Sequence, residues 1–153
     1  MHSHNLILVD DNQALREAMS IMLTLNNYEV TEHSHLQDIF DEVRLPDLYL
    51  VDYWLQDMVG SSLCAILKRN EKSKNIPVIM MSGDPTIESA VYAVGADAFL
   101  LKPFSMDQML QIIGDLLNPL STSVGLIKTG VLDSLSPGNS SFVSKIPPFG
   151  NTG

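Results

Sequence analysis

Polar residues close four apolar runs in this chain. Asp10 and Asp11 follow Leu6-Ile7-Leu8-Val9, Asp52 follows Leu48-Tyr49-Leu50-Val51, Ser82 follows Val78-Ile79-Met80-Met81, and Lys102 follows Ala98-Phe99-Leu100-Leu101. A charge at the margin of a core is costly unless it is paired. Singly, each has a plain structural explanation: an acidic pair caps a helix, a hydroxyl caps a turn, a lysine is solvated. Gathered at matching ends of one sheet, they place three carboxylates, a hydroxyl and an ammonium around one cavity. Adjacent carboxylates repel and raise one another's pKa unless a cation sits among them. All-oxygen ligation by carboxylates, a carbonyl and water suits Mg²⁺, which favours phosphate-bearing ligands. The lysine and hydroxyl are then donors to phosphoryl oxygens, and phosphoryl transfer depends chiefly on such positioning and charge neutralisation. Asp52 is the candidate nucleophile, since carboxylates form aspartyl-phosphate intermediates.

The elements between these residues must bring them together. Continuous apolar runs suit parallel strands covered on both faces. After the first run, Asn12 is a plausible N-cap, and Leu15, Ala18, Met19, Met22 and Leu23 mark one face of a helix that Asn26-Asn27 ends. Tyr28 to Thr31 reads as a shorter, more polar strand near an edge. Leu36, Ile39, Phe40 and Val43 again have helical spacing, with Pro46 as the stop. Gly60 opens a helix carrying Leu63, Ile66 and Leu67, with Lys68 and Arg69 in its last turn. Gly83-Asp84-Pro85-Thr86 is turn chemistry before a helix with Ile87, Ala90, Val91 and Val94, closed by Gly95. Ser105 caps a last helix with Met106, Met109, Leu110, Ile113 and Leu117 on its apolar face. Strand and helix thus alternate five times, which predicts an α/β domain with a parallel sheet and right-handed crossovers. Ligands of such sheets sit outside the carboxyl ends of the strands, where the polar residues fall.

Composition limits the function further. The chain has 153 residues, a net charge of −9, and only nine Lys and Arg, so a basic face for nucleic acid or an anionic membrane is not expected. Cys64 is the single cysteine, which rules out an internal disulfide. It lies in a helical stretch that reads as core. No run approaches membrane-spanning length and no leader pattern opens the chain, so a cytoplasmic location is expected. His2 and His4 read as a terminus rather than a metal site. Residues 1–118 form the expected domain, and 119–153, rich in Ser, Gly and Pro, read as a disordered or loosely docked tail.

On these residues the chain resembles the receiver domain of two-component response regulators, over residues 5–118. The resemblance rests on Asp10-Asp11, Asp52 with Gly60 eight positions on, Ser82, Phe99 and Lys102-Pro103-Phe104. It implies a flavodoxin-like (βα)5 sandwich with strand order 2-1-3-4-5. It further implies that Asp52 accepts a phosphoryl group from a phosphohistidine on a sensor histidine kinase or a histidine phosphotransfer protein. Mg²⁺ would be held by Asp11 directly, by Asp10 mainly through water, by Asp52 and by the backbone carbonyl of Trp54. Ser82 and Lys102 would each meet a phosphoryl oxygen. Phe99 would be the aromatic switch that turns inward with Ser82, and Lys102-Pro103 would be a cis peptide, an isomer accessible at X-Pro bonds. A readout face toward a downstream protein target would include Tyr92, Phe99 and the Met106–Met109 region. The added phosphoryl charge would bias a two-state surface. Such a protein catalyses its own phosphorylation and dephosphorylation and is not otherwise an enzyme.

Three features depart from the family pattern. Gln56 replaces a common proline, implying a more mobile loop after Asp52. Trp54 is bulky where a smaller polar residue is frequent, with Asp84 two residues past Ser82, and Trp54 is expected to shield an acyl phosphate from water. The tail is too short and too uncharged for a DNA-binding helix-turn-helix domain, so a stand-alone, chemotaxis-type receiver or relay protein is expected. Three alternatives stay open. An aspartyl-nucleophile phosphatase usually carries Asp-x-Asp after the first strand, and Asp10-Asp11-Asn12 lacks it. A flavodoxin-like cofactor binder needs a phosphate-cradling loop where Asp10-Asp11 would repel phosphate. The third is an interaction module that works without phosphorylation. Oligomeric state is not legible in the sequence.

Overall fold

Runs that are apolar at every position need cover on both sides, and the chain supplies it with two layers around one sheet. A computed structural model describes residues 2–120. β1 (Asn5–Val9), β3 (Leu48–Asp52) and β4 (Val78–Ser82) are buried along their whole length. β5 (Ala98–Leu101) is buried except at its last residue, and β2 (Glu29–His33) is the half-exposed edge its polar sequence predicts. All pairs are parallel, in the order β2-β1-β3-β4-β5. This is the flavodoxin-like arrangement, and it brings every strand's carboxyl end to one side.

Side chains alternate between the two layers. Leu6, Leu8, Leu50, Ile79 and Met81 pack on one face against Met19 and Leu23 of α1 (Gln13–Leu25) and Met109 and Ile113 of α4 (Met106–Leu117). Ile7, Val9, Val51, Met80 and Phe99 pack on the other against Leu63, Cys64 and Leu67 of α2 (Gly60–Arg69) and Val91 of α3 (Glu88–Ala93). The caps hold as the sequence predicts. Asn12 Oδ1 accepts the Leu15 N–H at 3.1 Å, and Ser105 and Gln108 form a reciprocal capping box. Asp84 caps a 3-10 turn, Pro85–Ile87, that leads into α3. Gly95, at φ +98°, takes a left-handed conformation that glycine adopts without strain.

One predicted element is different. The helix expected from Leu36, Ile39, Phe40 and Val43 is only a short 3-10 turn, Gln37–Asp41. Leu36 and Ile39 are buried, but Phe40 is half exposed and Val43 fully so. The cause is a short tether. The Leu36 N–H is held by the Asp57 carboxylate at 2.9 Å, and Asp47 pairs with the Asn5 backbone through its N–H and its carboxylate, both at 2.8 Å. The returning chain must cover a five-residue strand, roughly 17 Å. An α-helix advances about 1.5 Å per residue, so roughly eleven residues would be needed. Leu36 and Asp47 are separated by no more than that, so a helix would have to run unbroken from anchor to anchor, and Pro46, which holds Leu45 extended, prevents it. Part of the segment is therefore extended, and the sandwich has four α-helices instead of five.

The expected tail falls almost wholly outside the described residues. Among the described residues no helix is long and apolar enough to cross a membrane.

Candidate functional site

The strand ends meet as the topology requires. Val9 is level with Val51, Asp52 with Met81, and Ser82 with Leu101. Asp10, Asp11 and Asp52 each present a carboxylate oxygen within 4.8 Å of the others. Lys102 Nζ lies between two of them, 2.8 Å from Asp52 Oδ1 and 3.1 Å from Asp10 Oδ2. Asp10 and Asp52 are buried, and Asp11 is half-buried. Both Asp10 oxygens are engaged, because the other accepts the Asn12 N–H at 2.8 Å.

Burial raises the Asp52 pKa; the Lys102 hydrogen bond and charge oppose this, while Asp10 and Asp11 add to it. For Lys102, burial works against the charged form. Its hydrogen bond to Asp52 and the charges of Asp10 and Asp52 outweigh burial, so its pKa is raised and it stays an ammonium. Three carboxylates less one ammonium leave two formal negative charges in the pocket. A hard dication with oxygen ligands fits that balance and donor set. No cation is part of the structure.

Ser82 is buried, and its Oγ accepts the Asp84 N–H at 3.1 Å. Asp84 is turned to its own loop: its carboxylate takes the Thr86 hydroxyl at 2.6 Å and N–H at 2.9 Å, which lowers its pKa. The Lys102 N–H donates to the Ser82 carbonyl at 2.8 Å, so hydroxyl and ammonium sit on adjoining strand ends. Lys102-Pro103 is cis, as the resemblance implies. Phe99 is already turned inward, 3% exposed. Met109 is fully buried and belongs to the core, which removes it from the expected readout face; Met106 and Tyr92 are partly buried.

The loop after Asp52 is tied at several points. The Gly60 N–H donates to the Tyr53 carbonyl at 2.8 Å, Trp54 bridges Val59, and Asp57 holds Leu36. Gln56 in place of proline therefore does not leave the loop unanchored. Trp54 is 56% exposed, its ring edge-on to Tyr53 at 4.7 Å.

Two residues of this neighbourhood escaped the sequence reading. Asp57 looks like any loop acid, and only its contact with Leu36 reveals its part. Arg16 donates to the Asp10 carbonyl at 2.6 Å and faces Glu32 at 3.3 Å. Its signal was a cation near a helix N-terminus, where the dipole disfavours one.

Comparisons with known proteins agree with the geometry. The family model described as the response regulator receiver domain matches residues 6–114. The phosphate regulon transcriptional regulatory protein PhoB of Pseudomonas aeruginosa is 32% identical over 114 residues, 72% of this chain and 50% of that protein. The DNA-binding dual master transcriptional regulator RpaA of Synechocystis is 31% identical over 116 residues, 73% of this chain and 48% of that protein. The chain thus spans about half the length of these curated relatives. Among solved structures, the chemotaxis response regulator CheY4 of Vibrio cholerae superposes with a TM-score of 0.70 at 22% identity, covering 76% of this chain and 100% of that one. The receiver domain of a signal transduction histidine kinase from Syntrophus aciditrophicus gives 0.70 at 24% identity, covering 77% and 92%. These two likenesses bear on the fold.

Proposed function

Because this chain belongs to the response regulator receiver domain family, we propose that it is a phospho-receiver whose acceptor is Asp52. The observation that carries the reading is Lys102 Nζ seated between Asp52 and Asp10, beside a third acid, at the ends of parallel strands.

The donor is a phosphohistidine on a sensor histidine kinase or a histidine phosphotransfer protein. An Asp52 carboxylate oxygen forms the new O–P bond as the donor's N–P bond breaks; the electron pair stays on the imidazole, which takes a proton from solvent. Asp10, Asp11, Asp52 and the Trp54 carbonyl are the residues that would hold Mg²⁺. When bound, Mg²⁺ neutralises the pocket's excess charge and that of the incoming phosphoryl group. Lys102, kept charged by its two acids, pairs with one phosphoryl oxygen, and the Ser82 hydroxyl donates to another. Asp10, with both oxygens engaged, would act on the cation through water, and Asp11 would be its direct ligand. Phosphorylation draws Ser82 toward the new group and, through the buried Phe99, biases the Tyr92 and Met106 region, where a downstream protein target binds. The protein changes its own covalent state and turns over no separate substrate. Its compartment on this reading is the cytoplasm, which the single buried, unpaired Cys64 suits.

Incubating the chain with acetyl phosphate and Mg²⁺ tests this by intact mass. One phosphoryl adduct is expected on the wild type and none on Asp52→Ala or in EDTA. A wild-type chain that gains no adduct, and shows no Mg²⁺-dependent response to beryllofluoride, sinks the reading.

A further inference from the structure

The two neighbouring acids are held differently. Both Asp10 carboxylate oxygens are engaged, whereas among the described residues no hydrogen bond holds the Asp11 carboxylate. Its direction depends on the backbone. The end of β2 grips that backbone from two sides. The His33 carbonyl accepts the Asp10 N–H at 3.2 Å. Glu32 lies 3.3 Å from Arg16 Nε, and Arg16 Nη1 donates to the Asp10 carbonyl at 2.6 Å. That carbonyl belongs to the peptide joining Asp10 to Asp11. A peptide is planar, so holding its oxygen also fixes the nitrogen and Cα of Asp11.

We propose that Arg16, oriented by Glu32, is a positioning residue for cation binding, which holds the Asp10–Asp11 peptide so that Asp11 stays in the three-acid cluster. The inference rests on the Mg²⁺ reading above. A guanidinium suits the task because it engages Glu32 and the carbonyl through two nitrogens of one rigid fork; a lysine offers one mobile point charge. Charge alone predicts the opposite effect. A cation near the cluster repels a dication, so its removal would strengthen Mg²⁺ binding. The two accounts therefore differ in sign.

The test uses the full chain and the intrinsic fluorescence of Trp54, the single tryptophan, beside the cluster. Mg²⁺ is titrated into the wild type, Arg16→Met, Arg16→Lys and Glu32→Gln. Arg16→Met is expected to weaken Mg²⁺ binding by about tenfold, the lower end of the range for partners that orient metal ligands. Arg16→Lys recovers part of the loss, and Glu32→Gln shows a smaller one. With acetyl phosphate as donor, the defect falls on the Mg²⁺ concentration required rather than on the maximal rate. Arg16→Met binding Mg²⁺ as tightly as the wild type, or more tightly, overturns the proposal. If that variant melts too low to assay in EDTA, wild-type affinity in both Arg16→Lys and Glu32→Gln overturns it equally. A wild-type chain that does not bind Mg²⁺ removes the metal reading along with it.

Discussion

Gly60→Ala is the substitution whose consequence follows most directly from the structure. Gly60 is the first residue of α2, and its N–H donates to the Tyr53 carbonyl at 2.8 Å, so the helix starts against the residue after Asp52. A Cβ there would overlap the Asp52 carbonyl oxygen and sit 2.7 Å from Met80 Cε and 3.1 Å from Tyr53 Cα. Met80 is flexible and can swing its methyl away. The Asp52 carbonyl cannot yield so easily, being backbone at the end of a fully buried central strand. Such overpacking costs about 1–3 kcal/mol. Alanine's smaller unfolded-state entropy offsets roughly 0.4–1 kcal/mol of this. The net loss is about 1–2 kcal/mol, or roughly 3–8 °C in Tm for a domain of this size. Since strand or helix must shift, Asp52 moves too. Misplacement by about 1 Å at a reacting centre costs on the order of a hundredfold, so a shift of a few tenths should slow phosphorylation by roughly tenfold. Thermal melting in EDTA and the acetyl phosphate rate with saturating Mg²⁺ measure the two effects. Gly114→Ala, whose Cβ would meet open space within α4, is the control and should raise Tm. Gly60→Ala melting at or above the wild type with an unchanged rate would refute the close-approach argument.

Trp54→Asn removes the exposed ring beside Asp52 and should shorten the acyl phosphate half-life by roughly twofold or more by admitting water; an unchanged or longer half-life discards the shielding role. Asp52→Asn should raise Tm by about 3 °C or more at neutral pH in EDTA. The sign follows from the raised pKa of Asp52: the folded state favours its protonated form, so the wild type loses stability as pH rises through that value, and asparagine does not. The advantage should shrink toward acid pH, and a variant less stable than the wild type at neutral pH contradicts the argument. Burial pushes the Cys64 thiol up to about 11. Thiol reagents at pH 8 should therefore label the folded chain far more slowly than the denatured one, and equal rates would show the thiol to be accessible and ionised.

The strand ends were legible because each is a local pattern, an apolar run stopped by a polar residue. Parallel pairing then carries all of them to one side whatever lies between. That is how Lys102 and Asp10, ninety-two positions apart, could be placed together before any distance was known. The caps were legible for the same reason, since Asn12 and Ser105 bond within three residues of themselves. The second crossover was misread because spacing cannot measure a span. Leu36, Ile39, Phe40 and Val43 do fall on one helical face, but both ends of the segment are pinned by Asp57 and Asp47, and the distance to cover outweighs propensity.

Arg16, Asp57 and Lys68 share a different difficulty. Each has ordinary chemistry for a soluble surface, and each acts by holding something distant. Arg16 reaches Glu32 on the neighbouring edge strand, Asp57 holds the Leu36 N–H, and Lys68 Nζ holds Asp97 at 2.7 Å and the Ile76 carbonyl at 2.8 Å. Asp97 in turn accepts the Val78 N–H at 2.8 Å, at the start of β4. A side chain that reacts advertises itself by sitting where charge is costly, which is why Asp52 stands out after four buried residues. A residue that positions another has its charge met by a distant partner, as the largely buried Arg16 and Lys68 are met by Glu32 and Asp97, and becomes visible only through that partner. Arg16 is the partial exception. A guanidinium near a helix N-terminus opposes the dipole, and that small local cost marks a residue whose benefit lies elsewhere, in the carbonyl it holds and the acid that carbonyl aims.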